Sequence, residues 1–512
     1  MAATSVGGEC ASSGLGGAEE ESDLRPGEVG DMAKRPVTAV LAALVLMVGV
    51  LTGCTVTTGG HAVSIYDDPF QVAGLPTTSG PSGPRPGVPD AALTAAGGDK
   101  GAVDTLALNA IDDIQSYWRG EYHNEFDGDF APVTKFYSWS AKAPRSQETQ
   151  FCKDTTYHLV NAAYCRLDNS VGWDRAVLLP MMQDSFGKMA VVMVLAHEYG
   201  HAIQTMSHIV GAKDPVIVKE QQADCFAGAF MRHVAEDKAP HFTINTSDGL
   251  NNVLAATVAI RDADPEDPES VHGSAFERVT AVQIGFTDGP KGCKAIDMKD
   301  IQRRRKNLPQ SFGDDANRGE LAITKDSLKE LSKAMAAVMP IPAEPTYDYH
   351  GALMNCSNGA DTVPVTYCPA TNTIGTDVPA LAQRGKANAD EQDGFPTRVG
   401  GDYNAYVVFV SRYALAVQRN ARQQLTGAKT GLRAACLSGV ITAKLADPHR
   451  GPGQGDIALS PGDLDKAVSG LLSDGLAASD VEGKTVPSGF SRVDAFRAGV
   501  LGTQEICEAR YT

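Results

Sequence analysis

Gly187-Lys188-Met189-Ala190-Val191-Val192-Met193-Val194-Leu195-Ala196-His197-Glu198-Tyr199-Gly200-His201-Ala202-Ile203-Gln204-Thr205-Met206 is the stretch on which the reading of this chain turns. It holds no proline and is apolar enough to predict a buried helix. His197 and His201 are one turn apart, so both imidazoles leave the same face at a spacing that can chelate one zinc ion. Glu198 lies beside them, placed to act on a water and not on the metal. The plain alternative is a core helix with two partly buried structural histidines.

The surroundings argue against that alternative. A catalytic site of this kind needs a third ligand and one open position. Downstream, Lys219-Glu220-Gln221-Gln222-Ala223-Asp224 leads into the apolar run Cys225-Phe226-Ala227-Gly228-Ala229-Phe230. Glu220 and Asp224 share a helix face. Glu220 can ligate the metal while Asp224 holds the outer nitrogen of a ligating histidine, which fixes tautomer and orientation. An exposed acidic pair would sit in charged, not apolar, sequence.

His197-Glu198-x-Gly200-His201, Glu220-x-x-Ala223-Asp224-Cys225-x-Ala227-Gly228, His272-Gly273-Ser274 with Arg278, then Gly285 and Cys293 together resemble the bacterial neutral zinc metallopeptidases. These are similar to the zincins that use a glutamate as third ligand. The resemblance spans about residues 101–298. It implies a Zn²⁺-dependent endopeptidase acting on a peptide or protein substrate, with His197, His201 and Glu220 on the metal and Glu198 as base. Val177-Leu178-Leu179 is read as an edge strand that could hold an extended peptide, or as an ordinary core strand. His272 is read as a donor to the oxyanion, and Arg278 as orienting local carboxylates. His208, His233 and His241 carry no pattern and are read as surface residues.

The chain repeats itself. The Tyr164–Asp174 block matches Tyr367–Asp377, Ala223–Gly228 matches Ala434–Gly439, and Ser274–Val279 matches Ser488–Val493. Gly285 precedes Cys293 by the same interval as Gly499 precedes Cys507. Four blocks in one order imply a tandem duplication, with copies at 101–298 and 320–512 joined by a linker at 299–319. The basic run Arg303–Lys306 is read as part of that solvated linker. Copy two keeps none of the ligands: Ser411, Arg412 and Leu415 stand for His197, Glu198 and His201, Gly431 for Glu220, Ala435 for Asp224 and Val486 for His272. The expected fold is therefore mainly helical α+β, as two tandem zincin-like domains, the second degenerate.

Each copy carries four cysteines. Eight cysteines allow 105 pairings, but one scheme should serve both copies. The favoured pairing is Cys152–Cys165, Cys225–Cys293, Cys356–Cys368 and Cys436–Cys507. The absence of any C-x-x-C pair speaks against a thiolate metal cluster.

Residues 1–53 read as an N-terminal extension followed, from Met32, by a secretory signal. Lys34 and Arg35 precede the apolar run Pro36–Gly53, which ends Leu51-Thr52-Gly53-Cys54. That ending resembles a bacterial lipobox, with Cys54 lipidated; an uncleaved membrane span is the alternative. Residues 54–100, rich in Thr, Gly and Pro, are expected to be a flexible tether. The expected location is the extracytoplasmic face of a bacterial cell membrane, where disulfides persist. The net charge of −17 disfavours nucleic-acid binding. The rival functional class is a non-catalytic cell-surface scaffold on a peptidase-like fold. Nothing in the sequence sets the oligomeric state.

Overall fold

The computed structural model describes residues 68–262, 271–306, 308–310, 320–386, 391–392, 395–396, 399–447 and 459–512. The chain divides into Met1–Val63, which lies outside the described residues together with Cys54 and the signal segment, and one compact unit, Ser64–Thr512. No helix among the described residues is long and apolar enough to cross a membrane.

The fold is mainly helical α+β, as expected. Short strands β1 (Gln71–Val72), β2 (Leu75–Pro76) and β3 (Gly83–Pro84) come first. The first copy then runs α1 (Ala102–Glu125), β4 (Lys135–Trp139), β5 (Ala162–Cys165), β6 (Ser170–Asp174), α2 (Leu178–Phe186), α3 (Lys188–Ser207), α4 (Val216–Ala235), β7 (Phe242–Thr243), α5 (Asp248–Ala259), α6 (Ala275–Lys294) and α7 (Met298–Arg305). The second runs α8 (Lys325–Val338), β8 (Thr346–Asp348), β9 (Val365–Cys368), β10 (Thr373–Thr376), α9 (Val378–Arg384), β11 (Glu391–Gln392), β12 (Phe395–Pro396), α10 (Asp402–Asn420), α11 (Ala428–Ala446), α12 (Asp463–Ser473), α13 (Gly489–Leu501) and α14 (Gln504–Arg510).

The repeat is visible in the fold. One sheet has the order β4-β6-β5 and the other β8-β10-β9. In each, the last strand is antiparallel to the middle one and the first is parallel to it. Tyr164 and Tyr367 hydrogen-bond Asn169 and Asn372 at equivalent hairpins. All four disulfides form as expected. The repeated glycines have a steric reason. A Cβ on Gly285 would lie 1.7 Å from the Cys225 carbonyl oxygen, and one on Gly499 1.8 Å from that of Cys436. Helices can cross that closely only where one of them has no side chain.

The two copies are not separate compact units. One hydrophobic core runs from α1 through α3, α4 and α6 into α10, α11 and α13. At the junction the Phe286 and Phe490 rings lie 5.0 Å apart, and Gln283 Nε2 donates to Phe490 O at 3.0 Å. Neither copy closes its own apolar surface, because helices of each are covered by the other.

Four sequence expectations need correction. Val177–Leu179 is not a strand: α2 starts at Leu178, and the Asp174 carboxylate accepts the backbone N–H groups of Ala176, Val177 and Leu178. A three-residue apolar run carries no period to tell helix from strand. The edge strands of the sheet are β4, which Ala96 borders, and β5. The second part of the expected tether is packed. β3 pairs with β7, Thr78 N donates to Thr246 Oγ1 at 2.8 Å, Ala96 joins β4, and Asp99 pairs with Arg175 at 3.0 Å. A segment too polar to build a core can still be ordered on a neighbour's. The expected linker begins as α7, with Arg304 buried on Gln221 and Asp300 and Arg305 on Glu277. His241, read as a surface residue, is buried against Asp113 and Pro89 O.

Candidate metal centre

The apolar first half of α3 buries that helix against α1 and α4, which carries His197 and His201 to the facing surface of α4. Gly200 permits the approach, since a Cβ there would sit 2.9 Å from the Ala223 Cα. Glu220 and Asp224 project from α4 toward the two histidines. His197 Nε2 lies 3.2 Å from Glu220 Oε2, and His201 Nε2 lies 3.5 Å from Glu220 Oε1. One ligand atom from each of His197, His201 and Glu220 falls within 4.8 Å of the others.

The outer ring nitrogens are held. His197 Nδ1 is 2.8 Å from Asp224 Oδ1, and Asp224 is gripped from the other side by Arg278 Nε at 2.9 Å and Nη2 at 2.8 Å. His201 Nδ1 is 3.0 Å from Gln204 Oε1. Gln204 Nε2 donates to Lys219 O and Gln222 Oε1, so its oxygen must be the atom that faces His201. Both Nδ1 atoms therefore carry a proton, and both Nε2 atoms are turned toward the Glu220 carboxylate. Without a metal these are contacts of protonated imidazoles with a carboxylate; a metal ion would take the place of the Nε2 protons. The donor set, two imidazoles and one carboxylate with neighbours that fix their tautomers, fits zinc.

The charges are strongly coupled. Burial pulls His197 down, but Asp224 and Glu220 outweigh it and bring the imidazole up to about 10. Burial raises Glu220, yet the two histidines hold it well below the usual carboxylate range. Burial also raises Asp224, and Arg278 and His197 reverse that to a net lowering. Glu198 is the exception: burial dominates and its proton affinity is raised. It accepts the Tyr164 N–H from β5 at 3.0 Å, so it stands beside the cluster and touches that edge strand.

His272 Nε2 is 4.0 Å from Glu220 Oε2, and its side chain is 44% exposed. Asp262 fixes it, accepting His272 N at 2.6 Å and Gly273 N at 2.7 Å, with Nδ1 at 3.1 Å. The structure thus brings together every residue expected at the site, and adds Gln204 and Asp262. Gln204 was within reach of the sequence, three residues after His201 on one helix. Asp262 lay in an acid-rich stretch that offered no signal.

In the second copy the equivalent space is filled by a cation. Arg412, 1% exposed, donates to Val365 O at 3.0 Å, Ser479 Oγ at 3.1 Å and Leu476 O at 3.4 Å. Burial lowers this guanidinium to about 10. Glu198 accepts from the backbone of β5, whereas Arg412 donates to the backbone of β9.

No family model matches the chain, and no solved structure matches it. It is 28% identical over 167 residues to uncharacterized proteins of Mycobacterium bovis and Mycobacterium tuberculosis. That match covers 28% of this chain and 57% of theirs.

Proposed function

We propose that the protein is a zinc-dependent endopeptidase, held at the extracytoplasmic face of a bacterial membrane by a lipid on Cys54. The observation that carries this reading is the His197–His201–Glu220 cluster with Glu198 beside it. The resemblance to neutral zinc metallopeptidases supports it, and four disulfides suit an exported protein.

His197, His201 and Glu220 hold the metal. Bound there, zinc supplies a Lewis acid that lowers the pKa of a water to ~7 and polarises a carbonyl. Glu198 takes the proton of the attacking water and passes it to the leaving amine; the Tyr164 N–H steadies its carboxylate between the two transfers. His272, with Asp262 on its Nδ1 and Glu220 4.0 Å from its Nε2, is the donor to the developing oxyanion. An extended peptide adds to β5 as a further strand.

The test is metal content together with turnover of a generic unfolded protein. The mature protein is expected to carry one zinc per chain, because the second copy has no ligands. Glu198→Gln should keep that zinc and lose hydrolysis. Zinc-loaded wild type without turnover would leave the alternative, a non-catalytic cell-surface scaffold.

A further inference from the structure

The two halves cap each other's helices. Asp465 on α12 is buried, and its Oδ1 accepts the N–H of Phe276 at 2.9 Å, in the first turn of α6. In the opposite direction, Asn251 on α5 accepts the N–H of Gly489 at 2.6 Å, in the first turn of α13, and donates to Pro487 O at 3.3 Å. Asn251 and Asp465 are separated by the same 214 positions as Ser274 and Ser488, the N-cap residues of those two helices. The duplication therefore meets itself about a local two-fold, and each copy supplies one side-chain acceptor to the other.

The two exchanges are unequal in what lies behind them. α6 carries Arg278, which grips Asp224 and through it His197. Directly before α6 come Gly273 and His272, tied to Asp262. Asp465 also pairs with Arg261 at 3.5 Å, the neighbour of Asp262, and Arg278 Nη1 donates to Ile260 O at 2.7 Å. Asp465 thus reaches both the helix start and the segment that orients His272. Among the described residues no ligand set lies behind α13.

We infer that the degenerate copy is a fixed, in-chain partner of the first, and that Asp465 is its positioning residue, setting the start of α6 and so the placement of Arg278 and His272 at the metal centre. The metal arm of this inference rests on the zinc reading above. The geometric arm does not.

The test compares Asp465→Ala, Asp465→Asn and Asn251→Ala in the mature chain. In metal-free protein, amide exchange is followed over residues 275–278 and over 489–492, with the imidazole ¹⁵N signals of His197 and His272. Zinc affinity is then measured by chelator competition. Asp465→Ala should speed exchange at 275–278, shift both imidazole signals and weaken zinc ~10-fold, the low end for damage behind the ligands. Asp465→Asn keeps an acceptor oxygen, as Asn251 does for α13, and should restore exchange and zinc affinity close to wild type. Asn251→Ala should speed exchange at 489–492 only.

Wild-type imidazole signals and zinc affinity in Asp465→Ala would overturn the inference. Equal effects of Asn251→Ala at the histidines would overturn it too, because the junction would then act only as general support. If wild type binds no zinc, the metal reading fails alone, and the exchange and imidazole arms still decide the role of Asp465.

Discussion

Asp224 answers to two partners with one carboxylate: His197 on Oδ1, and Arg278 across both oxygens. Arg278→Met would leave a buried carboxylate half-compensated. It should weaken zinc by roughly 10–100-fold and cost ~3–5 kcal/mol of stability, as breaking a buried pair does; chelator competition and urea unfolding read the two effects. Arg412 is the contrary case, a buried cation held by uncharged acceptors. Arg412→Met should cost ~1–3 kcal/mol from acceptors left without a donor, and zinc should stay at one per chain by elemental analysis. At this scale most of the site was legible. His197 with His201, and Glu220 with Asp224, each stand at a helical i, i+4 spacing, and that spacing is a statement about shared faces. Asp262 and Asp465 were not legible, because their partners come from chain that folding brings near.

Among the elements, the pairs α4–α6 and α11–α14 are each closed by a long-range disulfide. Replacing Cys225 and Cys293 by alanine should loosen the helix that holds Glu220 and Asp224 and weaken zinc by roughly 10–100-fold. Replacing Cys436 and Cys507 should destabilise the protein by ~2–5 kcal/mol and leave zinc affinity nearly unchanged, since that bridge joins α11 to α14 and not α12, which carries Asp465. Zinc titration beside denaturant unfolding separates the two outcomes; equal zinc loss from both would count against this division. The helices, the repeat and the disulfides could be read from periodicity and from matched blocks. Val177–Leu179 could not, because the deciding feature is the Asp174 carboxylate capping the next turn. The Thr/Gly/Pro segment was misread for a related reason: composition reports whether a stretch can make its own core, not whether it can lie on another.

For the molecule as a whole, the decisive fact is that Ser64–Thr512 is one unit with one core. A chain ended at residue 306 would uncover Phe286 and the α6 face that meets α13. It is expected to aggregate or lack near-ultraviolet circular dichroism, although His197, His201 and Glu220 are all in it. A soluble, zinc-binding fragment of that length would show that the shared core is dispensable. The duplication was readable in the sequence; the merging of its products was not, because a tandem repeat looks the same whether its copies stand apart or lean on each other. Being written into one polypeptide also frees the pair from mass action. Two separate subunits would fall apart on dilution, and the working fraction would follow their abundance. Here the partner is never absent, so on the function proposed above turnover per molecule should stay constant from nanomolar to micromolar protein, and none of it would be lost to dissociation when copies are few.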